Sequence, residues 1–140
     1  MNAYKRVFLV VATIAALGVI PAFAQNTIRL TADVPFDFYV GGMKLPAGAY
    51  VVSEVEGSSI VALSDPSGRH HVFVMTEPRA RDIDPGVPHL TFHAYGGTKY
   101  LATVWSPSTG GRELRKSRGE KEYEVASLPI QVATIQIAAR

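Results

Sequence analysis

The chain contains no cysteine among its 140 residues. Disulfide bonds, thiol catalysis and lipid attachment through a cysteine are therefore excluded for it. Its stability must come from a packed core, and a domain of this length buries enough surface to fold without such cross-links. The length is that of one domain.

Charged residues are also scarce, at 19% of the chain, and 14 lysines and arginines stand against 12 aspartates and glutamates. The sequence contains no Gly-x-Ser-x-Gly, no phosphate-binding loop, no dinucleotide fingerprint and no His-Glu-x-x-His. We therefore predict no catalytic residue, no metal site and no cofactor. A protein that is not an enzyme is the favoured interpretation.

The one long apolar run lies at the N-terminus. Lys5 and Arg6 precede 14 uncharged residues, Val7–Ile20, and Pro21 separates this run from Ala-Phe-Ala at residues 22–24. This order is typical of a signal peptide that is cleaved after residue 24. Because the run is shorter than the roughly 20 residues that span a bilayer, we predict no stable membrane span after cleavage.

Cleavage would leave a single β-rich domain, residues 25–140, located in the periplasm or secreted. It would remove two of the 14 basic residues, Lys5 and Arg6, and leave 12 against 12 acidic residues. A chain with no net charge gives no electrostatic reason to bind nucleic acid.

Alternating apolar and polar residues indicate strands in this domain. From Ile28 to Val40 every even position is apolar, which is the pattern of a strand with one buried face. We expect Phe36 and Phe38 on that buried face. Pro35 lacks an N–H, so it marks an edge or a bend within the element.

Six further segments are predicted strands because they are rich in β-branched and aromatic residues and are bounded by turn residues. They are Ala49–Val55, Ser59–Leu63, His71–Thr76, His89–Tyr95, Lys99–Trp105 and Leu128–Ala138. The apolar parity of the last segment changes, which predicts a bulge near residues 133–134. Glycines or prolines predict loops at 41–48 and 77–88.

One segment, Arg112–Glu124, is helix-like, and nine of its 13 residues are charged. Within it, Ser117 fits the N-cap of a capping box whose Glu120 reaches back to the cap. We expect one or two helical turns with a solvated face, docked through Tyr123 and Val125. The whole pattern predicts an all-β fold: an antiparallel β-sandwich or small β-barrel of about seven to eight strands, with one short helix near the C-terminus.

Three motifs carry a resemblance to a known family. They are Val34–Phe38, Leu45–Gly48 with Tyr50, and Gly111–Leu114 followed by Ser-Arg at 117–118. In order and spacing they resemble an uncharacterised family of small exported proteins from Acidobacteria. The resemblance covers nearly all of the chain after residue 24, and it implies a signal peptide and a small β-rich domain.

Two sets of side chains are weak candidates for chemistry. The histidines are His70, His71, His89 and His93. If His71–Thr76 pairs with His89–Tyr95, His71 and His93 would lie on opposite faces of the sheet, which argues against a shared metal ion. Asp33 and Asp37 would share a face but lie roughly 13 Å apart on an extended strand, too far apart for a pair of catalytic carboxylates.

Aromatic residues with an arginine nearby remain as weak candidates for a binding site. They are Tyr95, Tyr100, Trp105 and Arg112. An aromatic patch beside an arginine fits a carbohydrate or a peptide, whereas burial in the core is the alternative explanation. We predict a binding or structural protein of the bacterial envelope, with a carbohydrate or an envelope protein as partner. A small exported hydrolase or carbohydrate-active enzyme is the alternative.

Overall fold

The computed structural model describes residues 27–55, 57–79 and 86–139. The predicted signal peptide, residues 1–24, lies outside these ranges, and so do residues 80–85 of the predicted loop. The elements are β1 (Thr27–Val34), β2 (Phe38–Val40), β3 (Met43–Leu45), β4 (Gly48–Val55), β5 (Ile60–Ser64), β6 (His71–Arg79), β7 (His89–Tyr95), β8 (Thr98–Ser106), β9 (Gly110–Leu114), helix α1 (Arg118–Val125), β10 (Gln131–Gln136) and β11 (Ala138–Ala139).

The strands form one continuous order, β10-β7-β8-β9-β6-β5-β4-β1-β11, in which neighbours are antiparallel. The β2–β3 hairpin lies off this order and joins it through one parallel pairing, Tyr39 with Tyr100. Only Ile137 separates β10 from β11, so the C-terminal segment pairs with β7 on one side and β1 on the other. The short pairing of β11 with β1 therefore links the two ends of the strand order, whereas β10 itself has β7 as its one strand partner among the described residues.

The predicted all-β domain with one short helix near the C-terminus is confirmed. Eleven strands are assigned, more than predicted, because β2, β3 and β11 are only two or three residues long. Inward-facing apolar side chains of the successive strands form the core: Leu30, Val34, Phe38, Val52, Leu63, Val74, Phe92, Val104 and Leu114. Among the described residues, no helix is long and apolar enough to cross a bilayer.

The bend predicted at Pro35 separates β1 from β2. The even-numbered residues continue to face inward across this bend, because Val34 and Phe38 are both fully buried. Phe36, which was also expected on the buried face, is only half-buried. The Phe38 ring packs edge-on against the rings of Tyr50 and Phe92, with centroids 5.3 and 5.4 Å apart. The predicted loop at 41–48 is a tight turn followed by the short strand β3.

The loop predicted to begin at Glu77 is wrong for its first three residues, because β6 continues to Arg79. Pro78 lies within this strand opposite Arg112 of β9. Proline is tolerated there because backbone groups alternate in direction along a strand. The nitrogen of Pro78 points towards the β5 side, beyond the backbone hydrogen bond that the Thr76 N–H donates to Ser59.

The helix predicted from Ser117 is confirmed, but the helix-like interpretation of residues 112–114 is wrong. These residues belong to β9, where pairing with β6 and β8 outweighs their helix propensity. The Ser117 hydroxyl caps α1 by accepting a hydrogen bond from the Glu120 N–H at 3.3 Å. The Glu120 side chain does not complete the capping box, because it turns into the protein body. Val125, an expected docking residue, is 86% exposed.

The bulge predicted near residues 133–134 is absent, since β10 pairs with β7 in unbroken register from Gln131 to Gln136. The apparent change of parity has another cause. Ile135 and Ile137 face the core, whereas Ile130 and Val132 point outward and are 46% and 65% exposed.

Candidate binding site at an open strand edge

Strand β6 changes partners at its middle, and this leaves part of one edge open. Residues 71–75 pair with β5, and residues 76–79 pair with β9 on the other side. The strand β9 ends at Leu114, opposite Thr76. Among the described residues, no strand therefore pairs with the β9-side edge of residues 71–75.

The direction of one hydrogen bond shows which backbone groups face this open edge. The Thr76 N–H donates to the carbonyl oxygen of Ser59 at 2.7 Å, so Thr76 points its backbone groups towards the β5 side. In an antiparallel ladder this direction alternates from residue to residue. The N–H and C=O groups of Phe73 and Met75 therefore point towards the open edge.

The same two residues carry the exposed large apolar side chains of the strand. Phe73 and Met75 are 68% and 61% exposed, whereas the intervening Val74 is buried in the core. Ile60, which pairs with Met75 across the β5–β6 ladder, is 46% exposed and extends the apolar surface. Free backbone groups and exposed apolar side chains thus coincide on one strand edge.

A groove of about 210 Å³ lies against this edge; we call it the edge groove. Its lining residues are Gly41, Phe73, Val74, Met75, Leu114 and Arg115. Gly41 forms the turn between β2 and β3 with a left-handed φ of 56°, and a Cβ there would lie 3.0 Å from a methyl group of Val74. Glycine therefore allows the hairpin turn to approach β6 closely and to form one wall of the groove.

A charged depression of about 360 Å³ continues the edge groove beyond Leu114 and Arg115. Its charged residues are the cations of Arg115, Lys116 and Lys121 and the carboxylates of Glu77 and Glu113. Arg115 pairs with Glu77 at 2.9 Å across an exposed surface, and Lys116 pairs with Glu124 of α1. The groove therefore has an apolar part beside the open edge and a mixed-charge part beside the helix.

A second depression, about 380 Å³, lies between the loop at 46–49 and the turn at 65–70. Burial raises the pKa of Asp65, but hydrogen bonds from the Ser67 hydroxyl and from the ring and N–H of His70 outweigh it and lower this pKa to about 2. The carboxylate is thus occupied in closing its own turn, so we assign it a structural role.

Two of the candidate residues from the sequence, Tyr95 and Tyr100, lie together beneath α1. Both are buried, and their rings meet edge-on with centroids 6.0 Å apart. Tyr123 of α1 stacks on Tyr95 at 5.4 Å. Burial, followed by the negative charge of Glu120, raises the pKa of Tyr95. These tyrosines hold the helix on the sheet.

The other two candidates, Trp105 and Arg112, lie apart from this tyrosine pair and from each other. Trp105 pairs with Gly111 while Arg112 pairs with Val104, so the two candidate side chains point to opposite faces of the sheet. The Trp105 ring is 4% exposed and stacks on His89, with centroids 5.4 Å apart. Its Nε1 is buried and has no hydrogen-bond partner among the residues that the structure describes.

Two buried carboxylates escaped the sequence analysis as candidates. Glu54 is 2% exposed, and its Oε2 accepts a hydrogen bond from the Thr109 hydroxyl. Its Oε1 has no hydrogen-bond partner within the described part of the chain. Burial raises the pKa of Glu54, while the Thr109 hydrogen bond and the charge of Arg112 oppose the rise. The alternation along β4 could have indicated this burial, because Glu54 lies on the same face of the strand as the buried residues Tyr50 and Val52.

Glu120 is the second buried carboxylate, at 3% exposure. Its Oε1 contacts Nδ1 of His93 at 2.8 Å and accepts a longer hydrogen bond from the Tyr95 hydroxyl at 3.4 Å. The only local signal was the capping box, which predicts the opposite side-chain direction. Glu120 therefore joins α1 to β7 through contacts that are remote in sequence.

The strand pairing assumed for the histidines is wrong, because β6 pairs with β5 and β9 and not with β7. His71 lies exposed beside Phe73, whereas His93 contacts Glu120 under α1. Within the described part of the chain, no group of three or more histidine, aspartate or glutamate side chains is placed to hold a metal ion.

Comparison with known proteins assigns no family. No protein-family model matches the chain, and no solved structure matches it. The chain is similar to the glutamate 5-kinase of Ralstonia pickettii (strain 12J), with 26% identity over 148 residues. The similarity covers 91% of this chain but only 38% of the kinase. This likeness is too low to show a family.

Proposed function

We propose that the chain is an exported β-domain that binds a partner protein, and that the edge groove holds an extended segment of that partner as an added strand. One observation carries this proposal. Phe73 and Met75 combine backbone groups that face an open edge with exposed apolar side chains. Peptide recognition by strand addition needs these two features, because backbone hydrogen bonds give affinity and side-chain contacts give specificity.

The walls of the groove favour a single strand as its occupant. The Gly41 turn lies on one side, and Leu114 and Arg115 lie where β9 leaves the sheet. Both neighbours of β6 are antiparallel to it. A guest that follows β9 along the edge would therefore also run antiparallel, with its N-terminal end near Arg115. The alternate residues of this guest would pack beside Phe73 and Met75.

The expected affinity is moderate. Two residues offer two backbone donors and two acceptors, and each hydrogen bond contributes about 0.5–1.5 kcal/mol. Covering an exposed phenylalanine or methionine side chain contributes about 1.5–3 kcal/mol when burial is complete. Losses of rotational and translational freedom oppose these terms, so we expect dissociation constants in the micromolar range.

A random heptapeptide library displayed on phage tests the site. Peptides selected on the wild-type protein are synthesised, and their affinities are measured for Met75→Pro. This variant loses an N–H that faces the open edge and keeps the pairing with β5. We expect binding to weaken by more than about tenfold.

Thr134→Pro is the matched control, because it places a proline in β10, which is separated from β6 by β7, β8 and β9 in the strand order. It should leave peptide affinity unchanged. If Met75→Pro does not fold, Phe73→Ser changes only an exposed side chain and gives the same comparison. A library without binders, or binders that ignore both changes at the groove, would contradict the proposal.

Export rests on the pattern of residues 1–24 and is tested separately. Mass spectrometry of the protein recovered outside the cytoplasm should show a chain that begins at Gln25. An intact Met1 would contradict export through a cleaved signal peptide.

A further inference from the structure

The C-terminal part of the chain contains a long stretch without charge. Residues 126–139 include no aspartate, glutamate, lysine, arginine or histidine, although charged residues make up 19% of the whole chain. This stretch contains β10, which lies at one end of the strand order and, among the described residues, pairs only with β7. Edge strands of monomeric proteins are commonly protected by charged side chains. Strand β10 has no such protection.

In the part of the chain that the structure describes, no strand pairs with β10 on the side away from β7, although β1 lies beside the C-terminal end of β10 and pairs with β11. The Ile137 N–H donates to the carbonyl oxygen of Pro88 at 2.8 Å, in line with the β10–β7 register. Odd-numbered residues of β10 therefore direct their backbone groups to β7, and even-numbered residues direct theirs away from it. Val132 and Thr134 consequently offer N–H and C=O groups to the open side.

The side chains around this edge are apolar and exposed. Val132 is 65% exposed on β10, and Ile130 and Leu128, just before the strand, are 46% and 43% exposed. An exposed apolar patch that borders a free strand edge marks an association surface.

We propose that a second copy of this chain covers the β10 edge, through antiparallel pairing of the two β10 strands about a twofold axis. Such pairing is self-complementary, because a twofold axis brings the same strand of each copy together in opposite directions. The charge pattern selects this occupant: an uncharged strand places no like charges opposite each other when it pairs with itself. Pairing centred on Val132 would place the two Val132 side chains side by side.

The proposed dimer is independent of peptide binding. Strands β7, β8 and β9 lie between β10 and β6 in the strand order. Association through β10 would therefore leave the edge groove of each copy open. A dimer would carry two grooves and would bind a partner with repeated segments more tightly than one groove alone.

The oligomeric state tests this inference directly. The purified protein is examined by size-exclusion chromatography with light scattering and by sedimentation equilibrium, over concentrations from micromolar to millimolar. We expect a concentration-dependent dimer. Val132→Lys places a charge at the edge and should raise the dimer dissociation constant more than about tenfold. Thr134→Pro removes an N–H on the open side, keeps the β7 pairing and should act in the same direction.

Two variants serve as matched controls. Val125→Lys adds the same charge to a more exposed valine outside the strand, and Met75→Pro alters the edge groove instead. Both should leave the dimer intact. If either Val132→Lys or Thr134→Pro fails to fold, the dimer dissociation constant of the other variant tests the inference. Because the chain has no cysteine, Val132→Cys should form a disulfide between copies under mild oxidation, and Val125→Cys should not.

A wild-type protein that stays monomeric over the whole range would overturn the inference. A dimer that persists in both β10 variants would overturn it too. Since peptide affinity is measured in separate experiments, failure of the dimer leaves the proposed function standing, and failure of peptide binding leaves the dimer standing.

Discussion

Replacing Glu54 by glutamine should change how the stability of the fold depends on pH. The carboxyl group lies 2% exposed at the end of β4, and no described residue forms a hydrogen bond with its Oε1. Burial raises the pKa of this group above the ordinary value of 4.5. The folded state therefore holds the Glu54 proton to a higher pH than the unfolded state does. Between the unfolded and folded pKa values the folded chain binds more protons, so its stability falls as pH rises.

The structure also sets the size of the effect. An ionised carboxylate at this position loses its hydration, and Thr109 and Arg112 compensate for that loss only in part. Glutamine keeps an oxygen acceptor for the Thr109 hydroxyl but places an unpartnered amide group where Oε1 lies. An unpartnered buried polar group costs about 1–3 kcal/mol, less than an uncompensated buried charge. At about pH 8 we expect Glu54→Gln to stabilise the fold by about 1–2 kcal/mol.

The assay is denaturant unfolding of wild type and variant at about pH 4 and about pH 8, followed by the fluorescence of Trp105. The chain has one tryptophan, and it is 4% exposed in the folded state. The free energy of unfolding of the variant minus that of the wild type should increase with pH. Glu113→Gln, at an exposed position of β9, controls for the change in net charge. A difference that is flat or falls with pH would refute the reasoning.

Two further predictions concern packing and capping. Phe38→Ala should lower the free energy of unfolding by about 3–5 kcal/mol, because the fully buried ring contacts Tyr50 and Phe92; a loss below about 1 kcal/mol would contradict the inward register of β2. Ser117→Ala should cost about 0.5–2 kcal/mol, since the hydroxyl caps α1. Ser117→Asp should restore that stability, and a failure to do so would show that the cap is unimportant.

The strands could be predicted because their signals are local. The alternation across Pro35 placed Val34 and Phe38 on the buried face, and the core contains both. The β7–β8 hairpin followed from its flanking strands and turn. The helix start at Ser117 followed from the capping pattern, which also lies within a few residues.

The edge groove could not be predicted because its determinants are remote in sequence. At residues 71–76 the alternation places Phe73 and Met75 on one face of the strand and Val72 and Val74 on the other. Both pairs are apolar, so the local sequence does not show which pair faces the core. The open edge exists because β9 leaves β6 at Arg115. In the same way, the Glu120 side chain turns inward because it contacts His93 of β7. These two residues are 27 positions apart in the sequence, so no local pattern reveals the contact.

The three sequence motifs, at residues 34–38, 45–50 and 111–118, have mainly structural contacts. The Asp37 carboxylate accepts a hydrogen bond from the Ala47 N–H at 3.0 Å, which ties the first motif to the second. The Tyr50 hydroxyl donates to the Pro46 carbonyl oxygen at 2.6 Å. Leu114, from the third motif, lines the edge groove.

Amide hydrogen exchange on β6, read residue by residue by NMR, tests the central claim most directly. In the free protein, the amides of Phe73 and Met75 should exchange rapidly, because they face the open edge. Those of Val72 and Val74 should be protected, because they pair with β5. A peptide selected from the library should protect Phe73 and Met75. Protection of these two amides without peptide, or their continued rapid exchange when a selected peptide is bound, would contradict strand addition at this edge.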